Sequence, residues 1–252
     1  MGTHIITAAT IKGGTGKTST AAAFAQAAHA KKKKVLAIDL DPQANLTAFL
    51  AGDERRAGVY DLLHGAELAD VIQRTEQGLD LIPGAANLAT EKTAAKSAER
   101  LKRAIEPIRG SYDFIIIDTP PTIGELTYNA IQASTALLIP LDADSASIKG
   151  LKHIADIAEQ MKERGAANLS FIGVLITRYR GRANINQFIR DKIKEAADEI
   201  GAAYMGEIRD GIAIREAQAM RKDLFGYAPK SNPAQDYEKL YKDFVKANKG
   251  RA

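Results

Sequence analysis

Cysteine is absent from all 252 residues. Disulfides and thiolate metal sites are therefore excluded, and the cytoplasm is the expected compartment. No apolar run approaches the roughly 20 residues needed to cross a bilayer as a helix. The first residues carry neither a cationic region nor an apolar leader core, so export is not expected. Charge of one sign is not in large excess. Lys and Arg number 35 against 31 Asp and Glu, for a net charge of +4 and a pI of about 9.1. That balance permits contact with nucleic acid or anionic lipid without demanding either. Histidine is scarce, and His4, His29, His64 and His153 are scattered without ligand spacing. The chain does have an ordinary 45% hydrophobic content and enough length for one domain over residues 1–252.

The most informative stretch is Lys12-Gly13-Gly14-Thr15-Gly16-Lys17-Thr18. It lies between an apolar run, Ile5–Ala9, and an Ala-rich segment, Ser19–Ala30, that reads as a helix. A Gly-rich turn between strand and helix points backbone N–H groups into one concavity, with the positive end of the helix dipole behind them. That geometry suits nucleotide phosphates. Gly13 to Ser19 are the expected binding residues, with Lys17 reaching the β- and γ-phosphates and the Thr18 hydroxyl ligating Mg²⁺. One departure from the P-loop pattern is Ile11, which stands where a first glycine is usual. Another is a second lysine, Lys12, ahead of the paired glycines.

Short continuous apolar runs recur at Val35–Ile38, Phe114–Ile117, Ala136–Ile139 and Phe171–Ile176. Such runs suit strands buried on both faces, as in a parallel sheet. Between them apolar residues recur at helical spacing: Ile148, Leu151, Ile154, Ile157 and Met161, then Ile185, Ile189, Ile193, Ala197 and Ile200. The alternation predicts an α/β fold with a doubly wound, mostly parallel sheet and helices on both faces. Ligands in such sheets bind beyond the carboxyl ends of the strands. Residues 52–111 are less regular, with a short helix expected at Gly58–Leu63, a strand at Leu79–Pro83 and a polar, basic helix at Ala89–Ile108. Lys31–Lys34 reads as a solvated turn.

Two strand ends carry acids. Asp39-Leu40-Asp41-Pro42-Gln43 follows the second strand, and Asp118-Thr119-Pro120-Pro121 follows Phe114–Ile117. An aspartate there is either a turn former or helix cap, or a holder of the water shell of Mg²⁺ beside a P-loop. Asp118 fits the second, Walker B role.

Together these motifs resemble the deviant P-loop ATPases of the ParA/MinD family, and the likeness to ParA/Soj-like partition ATPases runs over nearly the whole chain. It is carried by Lys12–Thr18, Val35–Thr47, Tyr112–Pro121, Ile148–Leu151 and Tyr227–Tyr237. The resemblance implies ATP and Mg²⁺ as cofactors and an ATP-bound homodimer in which Lys12 touches the partner's nucleotide. It also implies that Asp41 orients the attacking water and that Asp39 supports the metal site with Thr18 and Asp118. Family members bind DNA without sequence preference through surface arginines and answer to a ParB-like centromere-binding protein. Arg182 matches one such arginine, and Arg180 adds charge where an acid is common. The register puts Ala213 where a second arginine is expected, leaving Arg209, Arg215, Arg221 or Lys222 as substitutes. Adenine contacts are expected from backbone near Thr177 and Ile208. The chain starts at its first strand, so an N-terminal DNA-reading domain is not expected, and the compartment implied is the cytoplasm, on the nucleoid.

Four rival readings follow from the same scaffold. A MinD-like membrane-cycling ATPase would need a lipid-binding C-terminal helix. Tyr237, Leu240, Tyr241, Phe244 and Val245 do form a stripe there, but core packing is the expectation, and no membrane partner is expected. Iron–sulfur reductases need cysteines, whereas a metabolic ligase would lack the Asp-Pro-Gln and Lys12 signals. A tyrosine kinase would carry a Tyr-rich tail, which is absent.

Overall fold

The computed structural model describes residues 2–90, 99–163, 168–181 and 184–249. Eight strands form one sheet: β1 (His4–Ala8), β2 (Val35–Asp39), β3 (Gln73–Arg74), β4 (Asp80–Ile82), β5 (Phe114–Asp118), β6 (Ala136–Leu141), β7 (Phe171–Tyr179) and β8 (Ala203–Arg209). Their order is β3-β4-β2-β5-β1-β6-β7-β8, and every pairing is parallel except that of β3 with β4. The chain leaves β1 toward β2 on one side and later fills β6 to β8 on the other. The connections therefore reverse at β1, where a ligand crevice is expected.

Side chains alternate across this sheet, and both faces are dry. Ile6, Ala37, Ile116 and Leu138 face one layer of helices, whereas Ile5, Leu36, Ile115 and Leu137 face the other. The first layer contains α1 (Lys17–Ala30), α2 (Asn45–Phe49), α9 (Ile212–Ala219), α10 (Leu224–Tyr227) and α11 (Asn232–Ala247). The second contains α3 (Val59–Leu63), α4 (Leu68–Val71), α5 (Arg100–Ile105), α6 (Glu125–Ala133), α7 (Ser145–Glu163) and α8 (Asn184–Glu199). Burial on both sides explains why the central strands read as unbroken apolar runs.

Helix α1 is central because its alanines let it lie close to the sheet. Ala21, Ala22, Ala23, Ala25 and Ala28 are essentially inaccessible. Its one large residue, Phe24, meets Phe244 and Tyr241 edge-on at 5.2 and 5.5 Å between ring centroids, a favoured aromatic geometry. Tyr237, Leu240, Tyr241 and Phe244 of α11 are buried there, as core packing requires, but Val245 is exposed and does not belong to the stripe. Among the described residues no helix is long and apolar enough to cross a membrane.

Several expectations need correction. The apolar stripe of α8 does not begin at Ile185, which is 60% exposed, as is Phe188. The expected helix at Ala89–Ile108 lies partly outside the described residues. What is described there is a 3-10 turn at Ala86–Thr90, then α5, then a second 3-10 turn at Glu106–Ile108. Pro107 sits in the first turn of that last element, since its ring cannot donate to a continuing α-helix. Strand β8 had no apolar run to mark it. It is an edge strand, mostly half-buried, and a register shift against β7 accompanies the left-handed Gly206 (φ +97°).

Candidate functional site

Parallel register brings the acidic strand ends to one level. Ala8 of β1 pairs with Asp118 of β5, and Asp118 pairs in turn with Asp39 of β2. The loop that follows β1 therefore rises directly beside both carboxylates. Gly14 (φ +76°) and Gly16 (φ +81°) adopt the left-handed region that glycine enters without steric cost. Gly16 caps α1, so the helix begins at Lys17, two residues earlier than Ser19. A side chain at Gly16 would also press on Thr177, 3.3 Å from its Cγ2. Thr177 donates its hydroxyl to the Thr15 carbonyl at 2.7 Å and ties the loop to the end of β7. Ile11 is partly buried against the apolar cluster between the sheet and α7–α8. Where a glycine is usual, this loop has an apolar anchor.

Lys17 is 6% exposed. Burial lowers its pKa, and the charges of Asp118 and Asp41 oppose that shift. Thr18 and Ser19 are half-buried behind the loop. Both Asp118 oxygens are buried without a hydrogen-bond partner among the described residues. Burial pushes this carboxyl well above the usual range; the neighbouring Asp39 adds to the rise, and the Thr18 hydroxyl and Lys17 temper it. Buried acceptors with no partner are costly, so they mark where a cationic group or its water shell fits. A divalent cation held by Thr18 and Asp118 would satisfy that demand.

Asp39 has a different environment. One oxygen accepts from both the backbone N–H and the hydroxyl of Thr47, at 2.8 Å each, and the other accepts from the Asp41 N–H at 3.1 Å. Burial nevertheless raises its pKa to about 6. These bonds shape the turn that presents Asp41, whose Oδ1 accepts from the Gln43 N–H at 2.9 Å. Asp39 thus lies beside Asp118 with its oxygens already engaged by the turn. Thr47 and Gly84 are functional neighbours that sequence reading missed. Gly84 donates its N–H to the Thr47 hydroxyl at 3.0 Å, and a Cβ there would lie 2.8 Å from the carbonyl oxygens of both Asp39 and Asp41. Only glycine lets the strand-end turn approach so closely.

Lys12 points elsewhere. Its ammonium is bound by Asp142 and Asp144, just past β6, and not by the carboxylates around Lys17. That acidic pair was legible as another strand-end aspartate signal, of the same kind as Asp39 and Asp118. Beside the loop a cavity of about 300 Å³ is lined by Gly16, Ser19, Thr177, Ile208, Gly211 and Ile214. It is where a base could sit, next to the two residues expected to supply adenine contacts. A larger cavity, about 530 Å³, opens at the β3 edge. Three of its four arginines are engaged locally, Arg55 by Asp53, Arg74 by Asp80 and Arg221 by the Gly52 carbonyl.

The basic residues separate into different settings. Arg182 lies outside the described residues. Arg180 is exposed but pairs with Asp210 at 2.7 Å, and Arg209 pairs with Asp236 through two bonds of 2.8 and 2.7 Å. Arg215 is exposed at the cavity rim with no acidic partner among the described residues. Ala213, where a second arginine was expected, is buried on α9 and faces the core.

Residues 3–171 match the family model described as an AAA domain. The chain is 35% identical over 246 residues to the sporulation initiation inhibitor protein Soj of Bacillus subtilis, covering 94% of this chain and 96% of that protein. It is 32% identical over 259 residues to the chromosome partitioning protein ParA of Caulobacter vibrioides, covering 98% and 96%. Its fold is similar to that of cobyrinic acid a,c-diamide synthase from Mycobacterium smegmatis with bound ADP and magnesium, with a TM-score of 0.81 and 26% identity over 99% of this chain and 97% of that one. The last is a synthase, so fold alone does not separate the readings. The chain belongs to the ParA/Soj family of P-loop ATPases.

Proposed function

We propose that this ATPase partitions DNA through an ATP-dependent homodimer. The observation that carries the reading is the split between the two lysines of the loop. Lys17 is buried among Asp41 and Asp118, whereas Lys12 has a side chain 46% exposed at the mouth of the loop and directed away from them. A lysine that its own site does not use is available to a second subunit's phosphates. ATP binds at Gly13–Ser19, with its base in the cavity beside Thr177 and Ile208. Mg²⁺ held by Thr18 and Asp118, with Asp39 behind, would neutralise charge on the phosphates when bound. Asp41 orients the attacking water from a turn fixed by Asp39, Thr47 and Gly84. Phosphoryl transfer asks mainly for position and charge neutralisation, which these residues supply.

The dimer binds DNA through phosphate contacts from Arg182, Arg180, Arg209 and Arg215, doubled by the two-fold axis, and a ParB-like partner stimulates hydrolysis and release. Such a protein would reside on the nucleoid in the cytoplasm. Arg180 and Arg209 carry acidic neighbours, so their net contribution is reduced, and Arg215 is the strongest candidate among the described residues.

Binding of duplex DNA by fluorescence anisotropy tests this. With Mg²⁺ and a non-hydrolysable ATP analogue, affinity should appear, fall linearly with salt on a log–log plot, and be absent with ADP. Asp41→Ala should lower turnover by about 100-fold or more and hold the protein on DNA in ATP. Binding that ignores the nucleotide, or an Asp41→Ala chain with normal hydrolysis, contradicts the scheme.

A further inference from the structure

We infer that Asp142, Asp144 and Arg178 are positioning residues for Lys12: the two carboxylates hold its ammonium within its own subunit, and Arg178 sets how firmly they do so. The inference rests on the role in trans proposed for Lys12. Asp142 is mostly buried, and one guanidinium nitrogen of Arg178 reaches both of its oxygens at 2.5 and 2.6 Å while Arg178 Nε lies at 3.2 Å. Lys12 Nζ donates to Asp142 Oδ2 at 3.3 Å and, at closer range, to Asp144 Oδ2. The other Asp144 oxygen accepts from the Ser147 N–H and hydroxyl at 2.9 and 3.0 Å, in the first turn of α7. Asp144 is therefore fixed, and it cannot follow the lysine outward.

Arg178 is fixed as well. It occupies the left-handed region (φ +51°), unusual for a side-chain-bearing residue. It also follows Thr177, which grips the Thr15 carbonyl of the same loop. Pairing with Asp144 first, and then Asp142, holds the Lys12 ammonium above its ordinary pKa.

The cluster has two cations and two carboxylates, so its members compete. A carboxylate chelated by guanidinium offers less charge to an ammonium, and the Lys12–Asp142 contact is accordingly the longer one. Lys12 must leave both acids to reach a phosphate across a dimer axis. Arg178 then remains on Asp142 and keeps an uncompensated carboxylate from facing the nucleotide. Removing the Asp144 charge loosens the hold. Removing Arg178 gives Asp142 back to the lysine and tightens it.

The test titrates the full chain with Mg²⁺ and a non-hydrolysable ATP analogue and reads mass by light scattering. Asp144→Asn should lower the half-saturating concentration for dimerisation about fivefold, and Arg178→Ala should raise it about fivefold, each about 1 kcal/mol as RT ln K. Affinity of the monomer for ADP should stay within about twofold in Asp144→Asn, whose side chain lies outside the cavity beside the loop, which separates the hold on Lys12 from a general change of charge. Midpoints that coincide with wild type, or that move in the same direction, overturn the inference. A wild-type chain that never dimerises overturns the role of Lys12 in trans and the inference with it. Acylation of the Lys12 amine, read by mass spectrometry, distinguishes that failure from failure of the contact: slower acylation in wild type than in Asp144→Asn upholds the contact, and equal rates remove it.

Discussion

Lys17→Ala is expected to weaken ATP binding by at least about 100-fold, the order expected when a buried, charge-assisted bond to a phosphate is deleted. Lys17 is the ammonium beside the buried carboxylates of Asp41 and Asp118, and it is itself nearly inaccessible. Its removal deletes the phosphate contact and leaves the carboxylates facing an incoming polyanion without compensation. The second consequence is separable from the first. The nucleotide-free variant should also melt lower than wild type, because Asp118 and Asp41 lose the charge that offsets their burial. Calorimetric titration with Mg·ATP checks the affinity. A variant within about threefold of wild type would mean that the loop holds phosphates by its backbone alone.

Asp118→Asn should abolish turnover while stabilising the nucleotide-free protein at pH 8. Burial raises the carboxyl pKa of both Asp118 and Asp39, the latter from 3.8 to about 6. A raised folded pKa means that the folded state binds more protons than the unfolded state. The associated stability is fully present below about pH 3.8 and is lost as pH rises through about 6. Wild type without nucleotide should therefore melt lower at pH 8 than at pH 5. Asn keeps the shape of Asp118 and removes one of the negative charges clustered with Asp39 and Asp41, so the variant should gain stability at pH 8 and little at pH 4. Hydrolysis should fall by about 100-fold or more, since Asn offers one neutral oxygen where the Asp118 carboxylate would hold a divalent cation. Thermal melts across pH, paired with phosphate release, check both halves. A variant that melts below wild type at pH 8 would show that Asp118 is stabilised by its surroundings and not strained by them.

What was legible in the sequence follows from where the physics is local. The loop from Lys12 to Thr18 has its chemistry written in consecutive residues, and the central strands announce themselves because both of their faces are dry. Strand β8 escaped because an edge strand needs no apolar run. Helix α6 escaped because buried polar residues, Thr127, Asn129 and Gln132, dilute its periodicity. Asn129, for example, accepts from the Leu101 N–H and donates to the Glu125 carbonyl, contacts that local pattern does not disclose. The supports of the site were hidden for a related reason. Gly84 meets Thr47 and Asp39 only after β4 has paired with β2. The Asp142–Asp144 hold on Lys12 spans some 130 positions of chain. Residue type nominated the reacting groups, and topology decided which side chains hold them in place.

Whether Lys12 serves a neighbour's phosphates is decided by mass in solution. Light scattering should give 27.1 kDa with ADP and twice that with Mg²⁺ and a non-hydrolysable ATP analogue, and Lys12→Ala should remain at the smaller mass in both. A wild-type chain that stays monomeric when saturated with the analogue, or a Lys12→Ala chain that dimerises as readily as wild type, would contradict the role in trans.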